Sequence, residues 1–309
     1  MAVQAPPRAR ARADPSEIRW TRAATDQFKS VAHDIESEGR RLRDGADVDE
    51  IHDLRVATRR ARTAAKIFAD AVDPDELRRV RRELTRLSDR LGDVRDIDVM
   101  LETVSKARPT DDDGLAPLRE TWKQERDDAG KRLREELETG RYGRFLQRIA
   151  DLGDPSRAVS PDDGEPPLLV RHNAPTAIWA AFGHLLAFDI DPAAPDPLRV
   201  HRMRIAAKRL RYTIEMFEDA LGGDAAGLIE RITALQDLAG TSHDAGVAAR
   251  RARLVLGRDG IAREERAAIE RFASAQERCA ADIGELARRL ASVQGPGFRR
   301  TLGRLIVSL

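Results

Sequence analysis

The sequence has a single cysteine, Cys279, and no long apolar segment. One cysteine excludes an internal disulfide framework and a cysteine-based zinc cluster, and it suits a reducing cytosol. No run of about 18 apolar residues is present, so we expect no membrane span. The N-terminal segment, MAVQAPPRARARADPSE, is charged and has no apolar stretch behind it, which argues against a secretory signal. These absences predict a cytoplasmic protein.

Aromatic residues make up only 4% of the 309 residues, and the charges nearly cancel. The chain has 54 Lys and Arg against 53 Asp and Glu, which excludes a uniformly basic nucleic-acid-binding protein. Only six of the 54 basic residues are lysines, so most are arginines, which carry planar, permanently charged forks. With 41% hydrophobic and 35% charged residues, the composition predicts long amphipathic helices.

Turn-forming residues divide the chain into two helical halves. We predict a disordered basic tail at 1–15, a first half at 16–150, a linker rich in Pro, Gly and Asp at 151–174, and a second half at 175–309. No segment alternates polar and apolar residues as a strand does, so the predicted fold class is all-α. The predicted helices cover residues 17–44, 50–71, 74–107, 113–138, 141–151, 175–188, 197–221, 224–240, 243–257, 261–292 and 296–307.

One segment of the first half recurs in the second. Residues 51–68 read IHDLRVATRRARTAAKIF and residues 200–217 read VHRMRIAAKRLRYTIEMF, at an offset of 149. Downstream, LGDVRDIDV (91–99) aligns with AGTSHDAGV (239–247) at an offset of 148. Two matches in the same order predict duplication of a helical unit. The aligned pairs include His52 and His201, Arg55 and Arg204, Arg59 and Lys208, Arg60 and Arg209, and Arg62 and Arg211.

On a helical wheel, each repeat places a basic stripe opposite an apolar face, and the first stripe spans an arc of about 80°. The first stripe comprises His52, Arg55, Arg59, Arg62 and Lys66, and the second comprises His201, Arg204, Lys208 and Arg211. A solvated helix face usually mixes charge signs, because like charges four residues apart destabilise a helix by about 0.2–0.5 kcal/mol per pair. Residues 198–212 contain six Lys or Arg and no acid. We therefore interpret the stripes as a site for a polyanion.

Apolar side chains flank both stripes, which favours a basic groove between or along the two halves over open solvent. Val56 and Ile67 lie beside the first stripe, and Ile205 and Met216 lie beside the second. Arginine forks bind phosphate oxygens bidentately, and residues three or four apart on a helix are about 5–6 Å apart at Cβ. Such a ladder of donors suits a flexible chain of phosphates. Single-stranded nucleic acid needs aromatic stacking platforms, which the composition makes scarce.

A third group of arginines is interrupted by acids and ranks second as polyphosphate-binding residues. Its members are Arg78, Arg79, Arg82, Arg86, Arg90 and Arg95. The acids that interrupt this run include Glu76, Glu83 and Asp89.

We expect no metal site, no cofactor and no catalytic residue. A metal site needs three or four converging ligands, whereas His52 and His243 are each followed only by an adjacent aspartate. No glycine-rich phosphate loop, nucleophile elbow or HExxH motif is present. Two alternatives stay open: a metal-dependent phosphohydrolase that uses the histidines and Asp96, and a nucleic-acid-associated scaffold.

The motif LGDVRDIDV favours a structural role for its aspartates over a metal-binding one. Its carboxylates have a spacing that could suggest Mg²⁺. We predict instead a helix break at Gly92, with Asp93 as the N-cap of the next helix and Asp96 paired with an arginine.

Four motifs, HDLRVATRRAR, LGDVRDIDVM, HRMRIAAKRLRYTIEMF and LQDLAGTSHDAGVA, resemble the CHAD domain (conserved-histidine α-helical domain) in the order expected of it. The resemblance covers residues 16–309. It implies two helical bundles related by pseudo-two-fold symmetry with a basic cavity or channel between them, and it implies binding of inorganic polyphosphate. The residues that match its motifs are His52, Arg55, Arg59, Arg60, Arg62, His201, Arg204, Lys208, Arg209, Arg211 and Tyr212; Lys66 is added from the wheel alone.

The chain departs from the family pattern in its second glycine motif. AGTSHDAG is looser than LGDVRDID, and His243 stands where the first half has Arg95. No ExExK start of a triphosphate-hydrolysing barrel is present, so the resemblance implies no hydrolysis. We expect inorganic polyphosphate as the partner, with other polyphosphate-granule proteins as further candidates. We expect no membrane or nucleic-acid partner and a location in the cytoplasm at polyphosphate granules.

Overall fold

The computed structural model describes residues 14–44, 48–107, 113–158 and 168–309. Within these ranges the chain is all-α, as predicted, and its only β-type contact is an isolated bridge between Arg19 and Leu169. No helix among these residues is both long and apolar enough to span a membrane. The helices are α1 (Trp20–Asp44), α2 (Val48–Ile67), α3 (Pro74–Ser105), α4 (Ala116–Glu138), α5 (Gly140–Leu152), α6 (Val170–Leu186), α7 (Pro197–Met216), α8 (Glu218–Leu221), α9 (Ala225–Leu256), α10 (Arg263–Ala281), α11 (Gly284–Gln294) and α12 (Pro296–Val307).

Helices α1–α5 form one bundle and α6–α12 form the other. In the first, α1 packs on α2 and α5, and α3 packs on α2 and α4. In the second, α7 and α10 pack on α9, and α6 packs on α7. Between the bundles, α2 contacts α7 and α3 contacts α9; the segment Asp113–Leu115 and α4 contact α10, α4 contacts α9, and α1 contacts α6. The helices that carry the repeated motifs are therefore part of the junction between the halves.

The bounds of the junction helices follow the sequence repeat. α2 and α7 are both 20 residues long and start 149 residues apart, which is the offset of the first sequence match. α3 and α9 are both 32 residues long. Internal duplication itself stays a prediction.

Aromatic side chains join the two apolar faces at the junction. Phe68 and Phe217 occupy equivalent repeat positions, and both are buried. Their ring centroids are 6.3 Å apart, and Trp20 lies against both at 4.5 and 6.0 Å. Since each large aromatic ring buries much apolar area, this cluster ties the halves into one core.

Several predicted helix boundaries were wrong. Gly92 does not break α3, so Asp93 is not an N-cap, and the predicted break near residue 241 is absent because α9 runs through it. Tertiary packing overrides the local turn chemistry there: Ala239 and Gly240 are buried, and the Ser242 hydroxyl donates to the Ala280 carbonyl at 2.8 Å. The single helix predicted at 261–292 is two helices, α10 and α11.

The helix predicted at 175–188 begins earlier, since α6 starts at Val170 and contains Pro175. The start of α6 is fixed by backbone bonds to the first half, Val170 N to Ile18 O at 2.9 Å and Trp20 N to Leu168 O at 2.8 Å. Residues 1–13 of the predicted tail at 1–15 lie outside the described residues. Residues 159–167 of the predicted linker also fall outside them.

Candidate anion-binding site

The two basic stripes meet at the junction of the halves, around one tyrosine. The Arg59 guanidinium of α2 lies 5.5 Å from the centroid of the Tyr212 ring, and the Arg211 guanidinium lies 4.7 Å from it. Arg211 also donates to the Tyr212 hydroxyl at 3.0 Å and pairs with Glu215 at 3.3 Å. We call the region where α2, α3, α7 and α9 meet the seam; its charged residues are Arg55, Arg59, Arg95, Asp96, Arg204, Lys208 and Asp244.

The seam cations lack carboxylate partners. Across the described ranges, Arg59, Arg204 and Lys208 form no ion pair, in contrast to many of the surface arginines. The Nε atoms of Arg59 and Arg204 are buried and have no hydrogen-bond acceptor among those residues. A buried donor left unsatisfied costs about 1–3 kcal/mol, and more when it is charged. These donors therefore point to an acceptor that the polypeptide does not supply.

Burial and mutual repulsion shift the pKa values in the seam. Burial, followed by repulsion from Arg204 and Arg59, lowers the pKa of Lys208 to about 7. Burial also lowers the pKa of Arg55, whose Nη1 donates to the Leu91 carbonyl at 3.3 Å. An anion entering the seam would relieve this repulsion.

The two seam carboxylates, Asp96 and Asp244, form no ion pair with the seam cations among the described residues. Burial raises the pKa of Asp96 and of Asp244, although Arg55 and Arg204 respectively oppose the rise. The ion pair predicted between Asp96 and an arginine is not formed among the described residues. Asp98, two residues further along α3, is the residue that pairs, with Arg126 Nε at 3.2 Å. Asp98 points towards α4, whereas Asp96 lies in the field of the seam cations.

Two cavities lie on either side of the Arg59 and Tyr212 side chains. The α6 cavity, of about 590 Å³, lies between α2, α6 and α7. Its cations are Arg59, Arg62, Lys66, Lys208 and Arg209. Among the described residues that line it, the one carboxylate is that of Asp70, which accepts a hydrogen bond from Trp20 Nε1 at 2.9 Å. The α6 cavity is therefore strongly basic.

The second cavity, which we call the α1 cavity, has mixed charge. It measures about 780 Å³ and lies between α1, α2, α7 and α9. Its basic residues are His52, Arg59, Arg60 and Arg211, and its acids are Asp34, Glu215, Glu218 and Glu230. An anion in this cavity would face as many carboxylates as basic side chains.

A histidine pair lies at the other end of the α7 stripe. The ring centroids of His201 and His243 are 4.6 Å apart, and His201 Nδ1 is buried with no partner among the described residues. Burial and the nearby Arg204 lower the pKa of both, that of His243 to about 4. Both rings are therefore neutral at pH 7 and can still donate or accept a hydrogen bond.

The predicted residues fall into groups by position. The α6 cavity unites Arg59, Arg62, Lys66, Lys208, Arg209 and Tyr212, and the seam adds Arg55, Arg95 and Arg204. His52 and Arg60 are exposed and line the α1 cavity, and His201 lies beside His243. Of the second-rank arginines, Arg78, Arg79, Arg86 and Arg90 are paired with carboxylates. Arg82 is exposed on α3.

α6 contributes lining residues that the repeated motifs do not predict. Asn173 and Thr176 line the α6 cavity, and Asn173 Nδ2 is buried with no acceptor among the described residues. No signal in the sequence marks these residues, because α6 lies outside the repeated motifs. No group of three or more His, Cys, Asp or Glu side chains able to hold a metal is found in the part of the chain that the structure describes.

Comparisons with known proteins agree with this architecture. The CHAD domain profile matches residues 23–253. A crystal structure of the CHAD domain from the plant Ricinus communis is similar, with 22% identity and a TM-score of 0.72 over 94% of this chain and 98% of that one. PptA from Streptomyces chartreusis is 16% identical, with a TM-score of 0.66 over 89% and 99% of the respective chains. No curated protein sequence matches. The chain belongs to the CHAD domain family.

Proposed function

We propose that this protein binds inorganic polyphosphate in the seam and does not hydrolyse it. The observation that carries the proposal is the set of cations gathered from both halves without carboxylate partners, above all Arg59, Arg204 and Lys208. Unpaired buried cations destabilise the free protein. A bound polyanion would supply the missing acceptors, because charge-assisted hydrogen bonds to phosphate are strong. CHAD domains occur in polyphosphate-related proteins, which supports the same ligand.

The geometry favours polyphosphate over nucleic acid. Single-stranded nucleic acid binds by stacking its bases on exposed aromatic rings. Tyr212 is the aromatic residue between the stripes, and the guanidinium groups of Arg59 and Arg211 already lie over its ring. An unbranched phosphate chain has no bases to stack on an aromatic ring, so hydrogen-bond donors alone can bind it.

The charges around the seam carboxylates favour binding over metal-dependent hydrolysis. Asp96 and Asp244 lie in the field of Arg204 and Lys208. These cations compete with a divalent metal for the carboxylates, while they attract phosphate. We further propose that the protein acts in the cytoplasm at polyphosphate granules, where its ligand would be concentrated.

The first test is thermal unfolding with long-chain polyphosphate, monophosphate and single-stranded DNA at equal phosphate concentration, in about 150 mM salt. A ligand that binds only the folded state raises the Tm according to its occupancy. We expect a rise with polyphosphate alone, and an affinity that falls linearly with salt on logarithmic axes. An equal rise with DNA, or none with any ligand, would overturn the proposal.

Phosphate release is measured on the same samples with and without Mg²⁺ or Mn²⁺. We expect the chain length of the polyphosphate to stay unchanged in every sample. If phosphate is released only with the metal, and a chelator stops the release, the phosphohydrolase alternative would be correct and the proposed binding function would be wrong.

A further inference from the structure

An apolar groove lies on the surface of the second half, and none of its lining residues lines either cavity at the junction. We call it the outer groove; it lies between the start of α7, the C-terminal part of α9 and the end of α10, and it measures about 570 Å³. Ligand pockets in proteins measure about 300–1,000 Å³, so the groove can take several side chains of a partner. Its larger apolar lining residues are Pro195, Pro197, Val200, Val247 and Leu254.

Two exposed leucines extend this apolar surface beyond the groove. Leu254 lines the groove and is 68% exposed. Leu198 is 56% exposed and lines a smaller pocket that shares Pro197 and Val200 with the groove. Single exposed apolar residues are common, whereas a contiguous apolar patch marks an interaction surface. The patch therefore suits a partner that lies along the surface of the protein.

Small residues form the floor of the outer groove. They are Gly246 of α9 and Ala280 and Ala281 of α10. A Cβ on Gly246 would already lie 3.7 Å from the Ala280 Cβ, so the two helices are close together here. The α9 residues that line the groove, 246–254, span about 12 Å along the helix axis. A helical partner would contact this length through about two turns, with large apolar side chains three or four residues apart.

One unpaired arginine sets the charge of the groove. Arg253 pairs with Glu277 at 3.1 Å, and Arg251 pairs with a carboxylate of α4. Arg250 also lines the groove and is exposed, and it forms no ion pair within the described ranges. Its Nη1 lies 3.8 Å from the position that a Cβ on Gly246 would take, so the guanidinium lies over the groove floor. A carboxylate of the partner would complement this charge.

We propose that the outer groove binds a short amphipathic helix of a partner protein, with large apolar side chains on the groove floor and a carboxylate on Arg250. The helical partner follows from the two-turn length of the apolar channel and from the exposed leucines beside it. The acidic character follows from the charge of Arg250. This site is separate from the seam, so the protein can bind polyphosphate and a protein partner at the same time.

The first experiment measures the affinity of the full chain for three labelled peptides by fluorescence anisotropy. Each peptide has about 16 residues, long enough for a helix, with leucines at positions i, i+3 and i+7. The residue beside the first leucine is Glu, Gln or Lys. We expect the Glu peptide to bind with a Kd below about 1 mM and about fivefold more tightly than the Lys peptide. No binding of any peptide, or equal affinities for all three, overturns the proposal.

The second experiment changes the groove at exposed residues, and circular dichroism checks that each variant is folded. Arg250→Glu should weaken binding of the Glu peptide by about tenfold and make the Lys peptide the tightest of the three. Leu254→Ser should weaken all three by about tenfold, because it removes an apolar contact. Val307→Ser, which changes an exposed apolar residue of α12, is the matched control and should stay within about twofold. An unchanged order of affinities in Arg250→Glu overturns the proposal.

Two further measurements test whether the groove has another occupant. We expect polyphosphate to leave the affinity for the Glu peptide within about twofold; full displacement would assign Arg250 to the polyphosphate site and overturn the proposal. We expect Leu254→Ser to leave the oligomeric state unchanged in sedimentation equilibrium. A dimer that this variant dissociates would show that the groove binds a second copy of the chain. Failure of polyphosphate to bind would overturn the proposed function alone, because the peptide experiments do not depend on it.

Discussion

His52 and His201 occupy the same position in the repeat but lie in different surroundings. His52 is exposed at the edge of the α1 cavity, whereas His201 is half-buried and packs on His243. The two halves differ in the residue at the position of this packing partner: α9 has His243 where α3 has Arg95. The first half therefore adds an arginine at this position, and the second half adds a neutral imidazole pair. The comparison teaches that a repeated motif fixes which face a residue occupies, while neighbouring helices fix its burial.

The largest effect we expect concerns the apolar core that the two halves share. Phe68 and Phe217 are buried repeat equivalents that meet at the junction with Trp20. We predict that Phe68→Ala and Phe217→Ala each lower the free energy of unfolding by about 3–5 kcal/mol and preserve a single cooperative transition, measured by chemical denaturation with circular dichroism. Two transitions, of which Phe145→Ala in α5 shifts only one, would show halves that unfold independently.

A smaller expected effect is a loss of stability at low pH that arises from His243. The folded state holds the pKa of His243 at about 4, while the unfolded chain has the ordinary value near 6.5. Between these values the unfolded state binds the extra proton, so stability falls as the pH falls from 6.5 to 4. Allowing for solvent screening, the His243 share of this loss is about 1–2 kcal/mol.

The measurement is the Tm at pH 4.5 and pH 7 for His243→Gln and the unmodified protein. We predict that His243→Gln loses less stability on acidification than the unmodified protein. An identical acid response in the two proteins would contradict the assigned role of the histidine pair.

The smallest effect concerns the pH dependence of polyphosphate binding. Lys208 has a pKa of about 7 in the free protein, because burial and three arginines oppose its charge. A bound polyanion favours the charged form, so binding takes up a proton when the pH lies above 7. We predict that affinity falls by about fivefold or less between pH 6.5 and 8.5. Lys208→Arg, which stays charged, should flatten this dependence, as measured by fluorescence anisotropy; an unchanged slope would exclude Lys208 as its source.

The sequence predicts the all-α fold and the junction stripes because both follow from helical periodicity. The apolar faces of the repeat, from Leu54 to Phe68 and from Met203 to Phe217, are buried as expected. Helix ends were harder to predict, since glycine at position 92 and the small residues near 240 lie inside helices that packing maintains. Turn chemistry describes a local preference, and a packed 32-residue helix outweighs it.

The position of Asn173 beside the α6 cavity could not be predicted from sequence. An asparagine in a helix outside any motif carries no signal, and its orphaned amide becomes visible only when α6 is packed beside α2 and α7. The same holds for the asymmetry of the two cavities. The acids of the α1 cavity come from α7, α8 and α9, which follow one another, and from α1, which is distant in the chain.

The most direct test of the seam as the polyphosphate site is the affinity of two double variants that each replace two basic side chains. Arg59→Gln with Lys208→Gln removes one unpaired cation from each half. Arg299→Gln with Arg300→Gln removes two exposed arginines of α12, which line neither cavity. Measured by anisotropy at about 150 mM salt, the seam variant should bind at least about 100-fold more weakly, and the α12 variant within about twofold of the unmodified protein. Equal affinities of the two folded variants would contradict the seam as the binding site.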